Sequence, residues 1–289
     1  MRYGTGVALV IAAATSWSLT GLAIRQIATA EPWAILFWRS VGVLPVLGAV
    51  IIWNRGGLMA PLRQSGMAGV LGGLSLVFAF AGAIYAFQAT TVANAVFLFA
   101  ASPFIAAALG RVVLGESVHP LTWACMAVAI CGMYVMVREG LSVGAGPGNV
   151  AALMSATGFA CFTLTLRWGR LSDMMPATFL GGAFSMIAAA AIILVRGDTL
   201  LIPARDIAIS LGMGAFLLAA GLTLYTFGSR ALRAADLTLL SNVEVLLGPF
   251  WVWLFLNETA GRATLTGGLV LLAAVVANGL LGLRRAAIA

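Results

Sequence analysis

The sequence predicts an all-α integral membrane fold: ten transmembrane helices forming two inverted five-helix repeats around a central cavity. Three observations predict it. Of the 289 residues, 62% are hydrophobic and only 9% charged, against about 45–50% and about 25% in an ordinary soluble domain. The apolar residues come in runs of about 20, the length that crosses a bilayer as a helix. The chain also matches itself, weakly but regularly, at an offset of 142 residues.

Composition disposes of several classes. With 16 basic and 9 acidic residues the chain cannot cover a soluble globule of 29.8 kDa, and a mean hydropathy of +1.06 leaves no sizeable domain outside the membrane. Soluble enzymes and secreted disulfide scaffolds are excluded. A formal charge of +7 would point a soluble protein toward nucleic acid. Here the basic residues, all Arg, sit one or two at a time between apolar runs, as charges that orient membrane spans do, so no nucleic-acid partner is expected. Cys125, Cys131 and Cys161 fall inside apolar runs and read as small buried residues, neither disulfides nor metal ligands.

The first span covers about residues 5 to 27. Met1-Arg2, the charge-free run from Tyr3 to Ile24 and Ala28-Thr29-Ala30 imitate a secretory signal. The run is long enough to span and further spans follow at once, so it reads as a transmembrane helix. Spans 2 and 3 cover about 33 to 53 and 67 to 88. Gln64 to Gly110 carries no charge over 47 residues, too long for one crossing, so it is a hairpin turning at Thr90, Thr91 and Asn94 into span 4, about 92 to 113. Spans 5 to 10 follow at about 120–137, 148–168, 176–195, 207–229, 235–256 and 263–283. Pro32, Pro61, Pro120, Pro147, Pro176 and Pro203 fall at span starts or in loops, where a missing N–H costs little. Pro45, Pro103 and Pro249 lie inside spans.

The side holding both termini collects Arg2, Arg55, Arg63, Arg111, Arg167, Arg170, Arg230, Arg233, Arg284 and Arg285; the opposite side has Arg25, Arg138, Arg196, Arg205 and Arg262. Two to one places both termini in the cytoplasm by the positive-inside rule.

At the 142-residue offset Ala93-Asn94 falls on Ala235-Asp236, Arg25 on Arg167, Tyr85 on Phe227 and Gly115-Glu116 on Asn257-Glu258. Residues 1–139 form one repeat, 140–147 a Gly/Pro-rich linker and 148–289 the other. Five is odd, so the second copy enters from the other face, the arrangement that opens a midplane site alternately to each side.

The polar residues inside spans are the candidate substrate-binding set. Arg39 lies inside span 2, where a charge is costly. It could take a substrate carboxylate, pair with Glu244, or snorkel to the interface. Glu244, in the middle of span 9, could bind a substrate ammonium, carry a coupling proton, or pair with Arg39. Ser241 stands one turn before it and Gly248 one turn after. Trp17 sits amid Thr15, Ser16, Ser18 and Thr20, unlike the interfacial Trp33, Trp53, Trp123 and Trp168. An apolar ring among hydroxyls fits the wall of a wet cavity. Asn94, Phe99 and Ser102 of span 4, Phe78 and Tyr85 of span 3 and Tyr225 of span 8 would complete it. Glycine pairs such as Gly72-Gly73, Gly181-Gly182 and Gly267-Gly268 permit close helix approach.

No catalytic constellation is present. His119 is the one His, in a short loop, and neither a His/Cys metal spacing nor a pair of membrane carboxylates occurs. An intramembrane enzyme therefore lacks its parts, no cofactor is called for, and no filter loop argues for a channel.

The chain resembles the drug/metabolite transporter superfamily in its ten-helix EamA-type branch. The resemblance rests on Ser102-Pro103 followed by Leu114-Gly115-Glu116, and on Glu244-Val245 followed at the same spacing by Leu256-Asn257-Glu258, with Phe37-Trp38-Arg39 and Gly132 in addition. Val245 stands where the family has its second Pro, and Asn257 where Gly is usual. The resemblance implies a carrier of small metabolites in a bacterial inner membrane, often an exporter. One intramembrane cation disfavours multiply charged phosphates. The aromatic cavity residues favour amino acids, aromatic ones above all, with the aromatic amino-acid exporter branch as the nearest fit; other neutral or cationic metabolites and drugs are the alternative. A small solute and the lipid bilayer are the expected partners, and the working unit is expected to be a monomer.

Overall fold

The computed structural model describes residues 3–27, 29–142, 146–170, 173–229, 231, 240 and 243–286. Every regular element among them is helical. We number ten: α1 Tyr3–Arg25, α2 Pro32–Arg55, α3 Met59–Ala89, α4 Val92–Val113, α5 Pro120–Ser142, α6 Gly146–Trp168, α7 Met175–Arg196, α8 Ala204–Gly228, α9 Val243–Leu256 and α10 Arg262–Ala286. Among the described residues nine helices are long and apolar enough to cross a membrane, and α9 is a shorter apolar one. The start of the ninth span, 235–242, lies outside the described residues except for Leu240.

Three spans depart from plain helices. α4 is two segments, Val92–Phe99 and Ser102–Val113. Pro103 has no N–H to give and its ring crowds the carbonyl four residues back, while the amides of Ala100 and Ala101 fold onto Phe97 and Leu98 in a tightened turn. α3 begins eight residues earlier than expected and bends at Gly66, whose φ of 52° no helix can carry. In α8, π-helical Met213–Ala220 separates Ala204–Gly212 from Gly221–Ser229. Pro45 and Pro249 are accommodated without a break.

Contacts between helix ends establish the alternation of directions. Arg25, Thr90, Val92 and Glu258 meet at one face, which we call the Arg25 face, and the start of α6 rests there on Ala89 and Thr90. At the other, the Arg167 face, Arg55 pairs with Asp173 and Arg167 with Glu116.

α3 packs on α6 and α7; α8 packs on α1 and α2. α1 lies along α9, α4 along α6 and α9, α2 along α7, and α5 along α10. Exchanging each helix with the one five places on maps these pairings onto one another: α3–α6 becomes α8–α1, α3–α7 becomes α8–α2, and α1–α9 becomes α6–α4. α5 and α10 meet through Gly132 and Gly267, each set against the other's carbonyl. Because α5 packs mainly against α10, most of its surface faces outward. This corrects one expectation: Cys131 is exposed, and Cys125 and Cys161 are half-buried, all three free thiols.

Candidate substrate site

The polar collar of α1 is consumed unevenly. The Ser16 hydroxyl donates to the Phe216 carbonyl of the π segment at 3.1 Å. That of Ser18 donates to the Thr15 carbonyl at 2.7 Å and accepts the Trp251 indole N–H at 2.9 Å, joining α1 to α9. Trp17 points instead along α8. Its ring centroid is 5.5 Å from that of Tyr225, and it packs on the cluster of Val43, Leu47, Ala219 and Leu222. Its Nε1 is buried with no hydrogen-bond partner among the described residues, although a buried indole N–H normally has one.

Arg39 is buried, 5% exposed. Its guanidinium lies over the Phe80 ring, Cζ to centroid 4.4 Å, and Nε and Nη2 have no partner among the described residues. The ion pairs among the described residues are Arg25–Glu258, Arg55–Asp173 and Arg167–Glu116, so Arg39 and Glu244 are not joined.

α8 packs closely on the α2 backbone and on the Trp17 ring. A methyl on Gly214 would collide with the Arg39 carbonyl and the Val43 amide, and one on Gly221 would fall against the Trp17 indole nitrogen. The two glycines are seven residues apart, about 10 Å along a helix, and flank most of the π segment. Such segments are rare and recur at functional sites.

The other expected residues are distributed differently. Asn94 is buried; its Nδ2 donates to Thr90 Oγ1 at 3.0 Å and to Asn149 Oδ1, locking the starts of α4 and α6 together. Phe99 packs edge-on against Phe87 at 5.3 Å. Ser102 is buried at the break in α4. Glu244 is half-buried in the first turn of the described part of α9. Phe78 and Tyr85 are 59% and 43% exposed, on the stripe of α3 shared with Leu71 and Leu74 and opposite the face buried on α6 and α7. Ser241 lies outside the described residues. Sequence reasoning did not single out Phe80, Gly214, Gly221 or Trp251; the seven-residue spacing of the two glycines in one span was the available signal.

A cleft of about 320 Å³ opens elsewhere, between α4, α9 and α10, lined by Ala93, Pro249, Trp253 and Leu265 with Glu258 at its edge. That carboxylate is engaged. Its Oε2 accepts from Arg25 Nε at 2.8 Å and its Oε1 from the Val92 amide at 2.7 Å, while Arg25 Nη2 donates to the Thr90 carbonyl at 2.7 Å. At the opposite face Arg167 Nη2 pairs with Glu116 Oε2. Arg25 and Arg167, and Glu116 and Glu258, are the residues the 142-residue offset superimposes, and each pair joins one half of the chain to the other. The local turns agree as well. Gly115 and Asn257 are both left-handed, φ 67° and 52°, and the Glu116 and Glu258 amides reach back to Gly110 and Val252, each at 3.2 Å. Asn257, a departure from the family pattern by sequence, is a residue that tolerates this conformation.

Residues 4–138 match the EamA-like transporter family. Proteins from two strains of Pseudomonas aeruginosa named pseudopaline exporter CntI are each 24% identical over 291 residues, covering 94% of this chain and 95% of the relative. A solved crystal structure superposes with a TM-score of 0.69 over 98% of this chain and 100% of that one at 17% identity, a likeness of fold alone. Helices long and apolar enough to cross a membrane mark a multi-pass membrane protein, and the family match of residues 4–138, a little under half of the chain, together with its likeness to exporter-named relatives, points to a transporter rather than an enzyme.

Proposed function

We propose that the protein exports amino acids, aromatic ones preferred, across a bacterial inner membrane by alternating access between inverted repeats 1–139 and 148–289. The observation that carries this reading is the reciprocal pair of ion bridges, Arg25–Glu258 and Arg167–Glu116. Each end of the molecule is closed by the same residues of opposite halves, as a twofold axis in the membrane plane requires, and such an axis makes inward- and outward-open states near-equivalent. The exporter name of the Pseudomonas relatives supports the direction. Trp17 against Tyr225 supports a flat apolar side chain, and Arg39 with Glu244 supports a solute carrying both charges. Trp17, Arg39 and Tyr225 form the centre of the site, with Glu244, Phe99, Ser102 and Asn94 on the α4–α9 side. One chain holds both repeats, so the working unit is a monomer, with both termini in the cytoplasm.

Proteoliposome counterflow with a panel of labelled amino acids, nucleosides and cationic drugs tests the reading. Preloaded vesicles are expected to accumulate labelled tryptophan or phenylalanine; exchange of nucleosides or drugs alone would replace the substrate class. Glu244→Gln is expected to retain counterflow and lose uptake driven by a pH gradient. Wild-type rates in both assays would remove Glu244 from the coupling step.

A further inference from the structure

We infer that Arg39 is an anion anchor whose ligand is a carboxylate of the transported solute. The inference rests on the carrier reading above and names the handle by which the solute is held. The sequence allowed Arg39 three roles, and two fail. It does not pair with Glu244, since their side chains form no ion pair, and it does not snorkel, since it is enclosed by protein with 5% of its surface accessible. A buried guanidinium left without an anion is among the most costly groups a membrane protein can hold.

The geometry selects the ligand. Phe80 covers one face of the guanidinium plane at 4.4 Å, which fixes the plane and leaves its edges for hydrogen bonding. The unpartnered nitrogens are Nε and Nη2, the two donors that lie side by side on one edge and match the two oxygens of a planar carboxylate. Of the buried unpartnered polar atoms, those on α1 and α2 are Trp17 Nε1, Arg39 Nε and Arg39 Nη2. All are donors. Gly214 of α8 meets the α2 backbone at Arg39 and Val43 and Gly221 meets the Trp17 indole, while the guanidinium itself turns onto Phe80 of α3.

The test uses purified full-length protein in detergent and follows thermal unfolding with 3-phenylpropionate, 3-phenylpropionamide, phenethylamine or sodium chloride. Stabilisation by the carboxylate alone is expected. Arg39→Gln should weaken its apparent affinity between about tenfold and a hundredfold, the range for hydrogen bonds to a charged group. Arg39→Lys should fall between, lacking the paired edge, and Phe80→Leu should cost between about twofold and tenfold. If Arg39→Gln does not fold, the Lys and Leu variants decide. Equal protection by the amide, protection by chloride alone, no protection of wild type by the carboxylate, or an unchanged response in the variants would each overturn the assignment. The two readings fail separately. Counterflow of aromatic amines as fast as the matching amino acids sinks the anchor and leaves the carrier, whereas Arg39-dependent carboxylate binding without amino-acid counterflow sinks the substrate proposal and leaves the anchor.

Discussion

At the scale of single residues, Trp17 combines a well-packed ring with a buried N–H that has no partner among the described residues. Aromatic contacts contribute about 0.5–1.5 kcal/mol beyond burial, so losing this one should weaken substrate binding by about tenfold or less. Trp17→Ala is expected to lower apparent affinity for aromatic amino acids more than for small aliphatic ones, and Trp17→Phe largely to preserve it, in competition counterflow. Trp123→Ala is the control, at an interfacial position 47% exposed. An equal loss for every solute would return Trp17 to packing. Trp17 and Arg39 were legible in the sequence because a Trp among hydroxyls and a charge within a span are conspicuous. Phe80 was not: it is one of 15 Phe residues, and what distinguishes it is a partner 41 positions away in the chain. Two residues along a helix separate the exposed Phe78 from the buried Phe80, and composition alone does not say which face is which.

At the scale of elements, the spans were legible because a bilayer imposes a length on every crossing, whereas the irregularities were not. Pro45 and Pro103 both lie inside spans, and only the second coincides with a break. The π segment of α8 has no sequence mark beyond its flanking glycines. The turn after α9 is sharper to test. Asn257 holds φ 52°, so Asn257→Gly should leave thermal stability in detergent nearly unchanged. Asn257→Val should cost about 1–2 kcal/mol, the usual penalty of left-handed backbone for an L-residue. The equivalent Gly115 should behave more severely as Gly115→Val than as Gly115→Asn. Equal melting for the Gly and Val variants of Asn257 would mean that the turn relaxes freely and does not hold Glu258 toward Arg25.

At the scale of the whole molecule, the two faces differ in charge more than the Arg count alone conveys. By sequence the Arg25 face has Arg25, Arg138, Arg196, Arg205 and Arg262 against Glu31, Glu139, Asp198, Asp206 and Glu258; the Arg167 face has ten Arg against Glu116, Asp173 and Asp236. Orientation follows Arg and Lys more than net charge, and both measures predict a cytoplasmic Arg167 face. The linker near Gly146 should then lie outside and the α6–α7 turn inside, although both lie partly beyond the described residues. In a background lacking Cys125, Cys131 and Cys161, Ser142→Cys or Gly146→Cys should react with an impermeant maleimide added to intact cells, and Leu171→Cys only after permeabilisation. Removing those thiols should not disturb the fold, since all three are free and none is buried. Reversed labelling would invert the molecule, exchange the inner and outer ion bridges, and require that the site holding Arg39 be loaded from the opposite side. Labelling of both positions from outside would break the alternation of α6 and with it the inverted relation of the two halves.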